Sequence, residues 1–138
     1  MNSQLRLYCD TAQLSDLRQF LESILKVTQL SEIEQHQVIL AVEEVCANLI
    51  IHSHDCNSNE YIDLNVISSK ALIVFEILDF GEGFNILEYQ EPEISQVIKS
   101  KRKGGLGIIL VKRIMDKIEF ESFENKNICR LYKILNSK

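Results

Sequence analysis

Apolar residues follow two different spacings in the first part of this 138-residue chain, and the spacing predicts the elements. Residues 5–10 alternate between apolar and polar, which predicts a first strand with one buried face. Residues 14–24 repeat leucine and isoleucine at helical spacing, so a first helix packs by one stripe. Ser31 and Glu34 form a capping-box pattern that predicts the start of a second helix, running to about His52.

The middle of the chain has the pattern of two neighbouring strands. Residues 62–66 alternate cleanly between apolar and polar, and a tight connection follows at residues 68–70. Residues 71–78 (ALIVFEIL) are almost continuously apolar and β-branched, which is typical of a central strand covered on both faces. This strand is expected to end at Asp79.

The last part combines a polar segment with a helix and a hairpin. Residues 84–103 lack periodicity and are expected to form a lid-like loop, because long loops in compact domains are often functional. A third helix is predicted over residues 106–117. Two strands, at residues 118–123 and 128–135, then flank a hairpin turn at residues 124–127.

The element order predicts the fold class. Strands joined by tight turns pair antiparallel, and the strict strand-helix alternation of dinucleotide-binding folds is absent. We therefore expect an α/β (α+β) two-layer sandwich, in which helices cover one face of a mixed, mainly antiparallel sheet. Because the chain is long enough for one core only, residues 1–138 are expected to form a single domain.

Composition narrows the function classes. Fifteen basic and twenty acidic residues give a net charge of −5, which argues against direct binding to nucleic acid through a broadly basic surface. The longest apolar run, residues 71–75, is far shorter than a membrane span, and the amino terminus has no export signal, so a cytoplasmic protein is expected. Four cysteines without a C-x-x-C pair are interpreted as reduced, small apolar residues: Cys9, Cys46, Cys56 and Cys129.

The five glycines of the chain fall in two clusters. Gly81 and Gly83 follow the predicted central strand, and Gly104, Gly105 and Gly107 precede and open the third helix. Glycine allows close approach of backbone to a ligand. The two clusters therefore indicate two contacts with one ligand.

The second glycine cluster has the character of a phosphate site. It leads into a helix start, where unpaired N–H groups and the helix dipole favour anions. Four basic residues stand just before it in an otherwise acidic chain: Lys99, Lys101, Arg102 and Lys103. The alternative is a flexible glycine loop beside a solvated charge run.

Asp79 ends the central strand, so its carboxylate is expected to be partly desolvated and to need a hydrogen-bond donor. An adenine amino group supplies a donor at the position where guanine presents an oxygen, so this arrangement selects against GTP. The alternative interpretation of the Asp-x-Gly-x-Gly segment is an aspartate-capped turn.

Glu44 and Asn48 lie one helical turn apart on the apolar half of the second helix. An asparagine oxygen is a suitable ligand for Mg²⁺, and a carboxylate one turn away can accept a proton from an attacking hydroxyl. Alternatively, both side chains reach the edge of the core and hydrogen-bond a neighbouring strand.

Histidines next to the second helix suggest a less favoured site. His52, His54, Asp55 and Cys56 could together hold a metal, although their spacing is unlike that of structural zinc sites. His36 is expected on the helix surface.

Three segments in this order resemble the nucleotide-binding boxes of the histidine-kinase-like ATPase superfamily: AVEEVCANLIIHSH, LDFGEGF and GGLGIILVKRIMD. The compact length and the closing hairpin are similar to the stand-alone anti-sigma-factor serine kinases, over about residues 5–135. The resemblance implies ATP and Mg²⁺ as cofactors, with Asn48 as magnesium ligand, Glu44 as general base and Asp79 as adenine reader. It also implies a set of further nucleotide-binding positions: Gly81, Gly83, Gly104, Gly105, Leu106 and Gly107.

The resemblance implies partners as well. Members of this family bind a sigma factor and phosphorylate an antagonist of the anti-anti-sigma type on serine or threonine, and they commonly form homodimers. Two other functions stay open: a nucleotide-gated binding protein without useful kinase activity, and a structural domain that binds no nucleotide. A full sensor histidine kinase is disfavoured, because the chain has no room for a separate dimerisation helix pair.

Overall fold

The structure, a computed structural model, describes residues 2–50, 59–80, 105–123 and 126–135. It contains three α-helices, five β-strands and a short 3₁₀ helix within these ranges. In chain order they are β1 (Asn2–Tyr8), the 3₁₀ helix (Thr11–Gln13), α1 (Leu14–Leu25), α2 (Glu32–Asn48), β2 (Tyr61–Ser68), β3 (Leu72–Phe80), α3 (Gly105–Ile114), β4 (Lys117–Phe123) and β5 (Lys126–Ile134). The predicted lid and the loop after α2 lie outside the described residues.

The five strands form one sheet in the order β1-β2-β3-β5-β4. All four pairings are antiparallel, as the short connections predict. The predicted fold class is confirmed, and β3 is the central strand of the sheet.

One face of β3 carries the core and the other does not, which corrects the prediction that both faces are covered. Ile73, Phe75 and Ile77 are buried, whereas the residues between them are only half-buried. On the outer face Glu76 accepts a hydrogen bond from Arg130 of β5 at 2.9 Å. The apolar residues of the outer face made the run appear continuous, but the helices pack on one side of the sheet only.

The helices begin and pack as their sequences predict. Ser31 caps α2, with its hydroxyl 3.1 Å from the backbone nitrogen of Glu34 and the Glu34 carboxylate 3.2 Å from the backbone nitrogen of Ser31. The stripe of α1 and most of the second half of α2 belong to one core cluster with the inner face of the sheet. His36 is exposed on α2, as expected. None of the described helices is both long and apolar enough to cross a bilayer.

The third helix ends earlier than predicted, at Ile114 rather than Lys117. Asp116 accepts a hydrogen bond from the backbone N–H of Ile134 at 2.7 Å, and Lys133 donates to the carbonyl of Ile114 at 3.0 Å. These contacts with β5 satisfy the helix end and turn the chain into β4, so Lys117 is the first residue of a strand.

Three of the four cysteines are buried free thiols, as their interpretation as small apolar residues predicts. Burial raises the pKa of the Cys46 thiol, with a smaller contribution from Cys129. Burial also raises the pKa of Cys129, to about 12. Cys56 lies outside the described residues.

The buried thiols should react slowly with a disulfide reagent at pH 8, because the thiolate is the reactive form and a raised pKa depletes it. A Cys56→Ser variant isolates the three buried thiols, Cys9, Cys46 and Cys129. We expect little native reaction over minutes, faster reaction as pH rises, and complete reaction in guanidinium chloride. Rapid native titration of two or more thiols at pH 8 would contradict the burial.

Candidate functional site

Three polar side chains are buried within the described part of the chain, and the other buried residues there are apolar. They are Asn48 at 6% exposure, Asp79 at 1% and Asn127 at 5%. A buried polar group costs free energy unless it is hydrogen-bonded, so each of the three needs a specific structural or functional reason.

Asn48 is the last residue of α2 and contacts Glu44, one turn earlier. Its Nδ2 atom donates to the Glu44 carbonyl at 2.9 Å and lies 3.5 Å from the Glu44 carboxylate. Both interactions use the amide nitrogen, so they do not consume the amide oxygen. The pair therefore presents a carboxylate and an amide oxygen from one end of the helix, rather than bonding a neighbouring strand through these contacts.

The adjacent glutamate, Glu43, is committed elsewhere. Arg18 of α1 donates to both carboxylate oxygens of Glu43, at 2.9 to 3.1 Å. This bidentate ion pair joins α1 to α2 and faces away from Asn48, because consecutive helical residues point about 100° apart. The structure thus separates two neighbouring carboxylates into a structural one and one that remains beside Asn48.

Asp79 continues the inner face of β3, two residues after the buried Ile77. Its burial agrees with the expectation that this carboxylate is desolvated. The Oδ2 atom of Asp79 is buried and makes no hydrogen bond with the described residues, although the residue has another contact. A carboxylate oxygen in this position is chemically suited to accept a proton from an amino group.

Asn127 was missed by the sequence analysis, which placed it in the hairpin turn. It lies instead in β5, directly opposite Asp79 in the β3–β5 ladder. Ser122 of β4 donates a hydrogen bond to Asn127 Oδ1 at 2.8 Å. The only signal in the sequence was an asparagine next to a strand, and asparagine is far more common in turns.

The end of α2 lies over the end of the sheet that carries Asp79 and Asn127. Cys46, two residues before Asn48, is close enough to Cys129 to raise its own pKa electrostatically. Cys129 is two residues after Asn127 and opposite Ile77. The three buried polar side chains therefore belong to one corner of the helix–sheet interface, which we call the polar corner (Glu44, Asn48, Asp79 and Asn127).

The helix start of α3 is the only part of the predicted phosphate site within the described residues. The helical backbone begins at Gly105, and α3 packs against α2. The first N–H groups of a helix have no partner within it, so this end can bind an anion. The remaining predicted positions lie outside the described residues or have undescribed side chains: Gly81, Gly83, Gly104, Leu106 and the basic residues 99–103.

Metal binding would depend on few protein ligands. The described residues contain no cluster of three histidine, cysteine or carboxylate side chains that could hold a metal. Mg²⁺ does not require one, because it keeps water and takes oxygen atoms from phosphates. The Asn48 amide oxygen fits that role. The less favoured metal site at residues 52–56 lies outside the described residues.

The largest groove within the described residues is elsewhere. It has a volume of about 490 Å³ and lies at the opposite end of the strands, between the end of α1 and the β2–β3 turn, where Phe20, Ile24 and Lys70 line it. The polar corner borders residues 81–104, outside the described ranges, so its full shape is not defined by the surrounding walls. We judge the site by its chemistry rather than by cavity size.

Comparison with known proteins bears directly on this geometry. Residues 8–133 match the family described as histidine kinase-like ATPase domain. The chain belongs to this family. The match includes α2, β3 and α3, the three elements that carry the candidate residues.

Curated relatives give a narrower likeness. This ATPase-family chain is 27% identical over 86 residues to the serine-protein kinase RsbW of Halalkalibacterium halodurans, covering 59% of the chain and 52% of that relative. It is 29% identical over 93 residues to the anti-sigma F factors of Bacillus thuringiensis and Bacillus cytotoxicus, covering 67% of the chain and 63% of each relative. The alignments thus span about half to two thirds of the relatives' own length.

Proposed function

We propose that this chain is an ATP-dependent protein serine/threonine kinase that phosphorylates an anti-anti-sigma antagonist and binds a sigma factor. The observation that carries the proposal is the contact between Glu44 and Asn48 at the buried end of α2. The likeness to a serine-protein kinase and to anti-sigma F factors supports the choice of substrate and partners. A homodimer in the cytoplasm is part of the proposal.

Each residue of the polar corner has a defined part in this reaction. Asp79 would accept a hydrogen bond from the adenine amino group, and the α3 start would hold phosphate oxygens. Asn48 would hold Mg²⁺ through its amide oxygen. When bound, the metal neutralises charge on the phosphates.

Glu44 would act on the protein substrate. It accepts the proton of a serine or threonine hydroxyl while the hydroxyl oxygen forms a bond to the γ-phosphorus. The bond from that phosphorus to the β–γ bridging oxygen breaks, and ADP leaves. Asn48 Nδ2, 3.5 Å from the Glu44 carboxylate, helps to orient the base.

Saturating Mg-ATP should raise the melting temperature, because a ligand that binds only the folded state stabilises it. At 100 times its dissociation constant the gain is about 2.7 kcal/mol, or about 5–10 °C for a domain of this size. Differential scanning fluorimetry with Mg-ATP, Mg-GTP and no nucleotide measures this shift. An unchanged melting temperature with Mg-ATP would favour the structural domain that binds no nucleotide.

Kinase activity itself is tested with γ-labelled ATP and the anti-anti-sigma-type protein encoded nearest to this chain. We expect label on serine or threonine, recognisable because these phosphoesters survive acid whereas phosphohistidine does not. Binding of ATP and of the partner without label transfer would favour the nucleotide-gated binding protein instead.

A further inference from the structure

Asn127 is a buried polar residue for which the proposed reaction has no use. It is 5% exposed and lies on the inner face of β5, directly opposite Asp79. Side chains opposite each other on one face of an antiparallel pair have Cβ atoms about 4.5–5.5 Å apart. Any group that contacts the Asp79 carboxylate is therefore within reach of the Asn127 carboxamide.

The orientation of Asn127 is fixed from the far side. Ser122 of β4 donates to its Oδ1 atom at 2.8 Å, so the carboxamide oxygen faces the sheet edge. The amide nitrogen then faces the other way, toward the central strands. An amide nitrogen carries two hydrogens, so it can serve a protein acceptor and a ligand acceptor at once.

We propose that Asn127 is a specificity-determining residue that donates a hydrogen bond from Nδ2 to N1 of the adenine ring, beside the amino group accepted by Asp79. The assignment rests on the proposed function, since it needs a purine nucleotide at the polar corner.

The chemistry of the two purines explains why two residues discriminate better than one. Adenine presents a donor at position 6 and an acceptor at N1, which match the Asp79 acceptor and the Asn127 donor. Guanine and hypoxanthine present an oxygen at position 6 and an N–H at N1. In the same orientation both contacts would then oppose like groups, and each mismatch leaves buried groups unpaired.

The test replaces single atoms on both sides of the proposed contact. The ligands are ATP and 1-deaza-ATP, in which C–H replaces N1 and the amino group is kept. The wild-type chain should bind ATP about tenfold more tightly than 1-deaza-ATP, the usual effect of one hydrogen bond. Asn127→Ala should bind the two nucleotides with equal affinity, measured by isothermal titration calorimetry.

Two further variants separate recognition from folding. Ser122→Ala keeps Asn127 and removes its anchor, so a reduced preference for ATP over 1-deaza-ATP is expected. Asn65→Ala is the matched control, because Asn65 bonds Glu76 on the outer face at 3.4 Å, and it should keep the full preference. If Asn127→Ala fails to fold, the nearly isosteric Asn127→Leu provides the same measurement.

The outcomes distinguish this assignment from the proposed function. A wild-type chain that prefers ATP, with an Asn127 variant that keeps the preference, overturns the assignment alone. Loss of affinity for ATP and 1-deaza-ATP by the same factor in the variant would indicate a merely structural Asn127 and also overturns it. A wild-type chain that binds neither nucleotide overturns the proposed function together with the assignment.

Discussion

Replacing Glu44 with glutamine is expected to lower the rate of phosphoryl transfer to the antagonist by about 10²–10⁴-fold, the usual contribution of a general base. The glutamine keeps the size of the side chain and its place beside Asn48, 3.5 Å from the Nδ2 atom in the wild type. It cannot accept the hydroxyl proton at neutral pH. Affinity for Mg-ATP should be essentially unchanged, because Glu44 is assigned no contact with the nucleotide.

The adjacent residue provides a matched control for Glu44. Glu43→Gln removes one negative charge from the same helix, but Glu43 is ion-paired to Arg18 of α1 at 2.9 Å. We expect this variant to retain phosphoryl transfer and to lose at most a little stability, since a partly exposed ion pair contributes about 0–1 kcal/mol. Equal rates for Glu44→Gln and the wild type would reject Glu44 as the base. Equal losses in both glutamine variants would indicate a general electrostatic effect.

Replacing Asp79 with asparagine is expected to weaken ATP binding by about 10²-fold, because a buried charge-assisted acceptor becomes partly a donor. The change is isosteric at a position with 1% exposure, so the fold should be retained. An amide can pair with an oxygen at position 6 of the purine. The ratio of ATP to GTP affinity should therefore fall more than overall stability does, as titration calorimetry and thermal melts would measure.

Asp63→Asn is the matched control for the second prediction. Asp63 lies in β2 on the outer face of the sheet and is ion-paired to Arg6 at 2.9 Å. Its replacement should leave ATP affinity unchanged, because the outer face is not part of the polar corner. An Asp79→Asn variant that binds ATP as tightly as the wild type would remove Asp79 from adenine recognition.

The periodicity of the sequence predicted most of the fold because it reports local geometry. Side chains alternate in a strand and repeat every 3.6 residues in a helix, so the faces of β1, β2 and α1 can be deduced without tertiary information. The capping box at Ser31 and the short turns between strands depend on neighbouring residues only. These predictions agree with the structure for the same reason.

Predictions failed where the deciding contact is distant in the chain. The continuous apolar run of β3 does not tell how many layers cover it, and the structure shows one. The end of α3 is set by Asp116 and Lys133, the latter from β5. Residues 124–127 have turn composition, yet Asn127 pairs with Asp79 because the β3–β5 register extends further than the composition suggests.

The sequence by itself determined that Glu44 and Asn48 share a helix face, since a spacing of four residues brings side chains together in any α-helix. Only the tertiary structure decided that Arg18 occupies Glu43 and that Asn127 faces Asp79. It also decided that the end of α2 lies over these strands. Such contacts join residues far apart in the chain, and their free energy depends on packing and burial that no local pattern encodes.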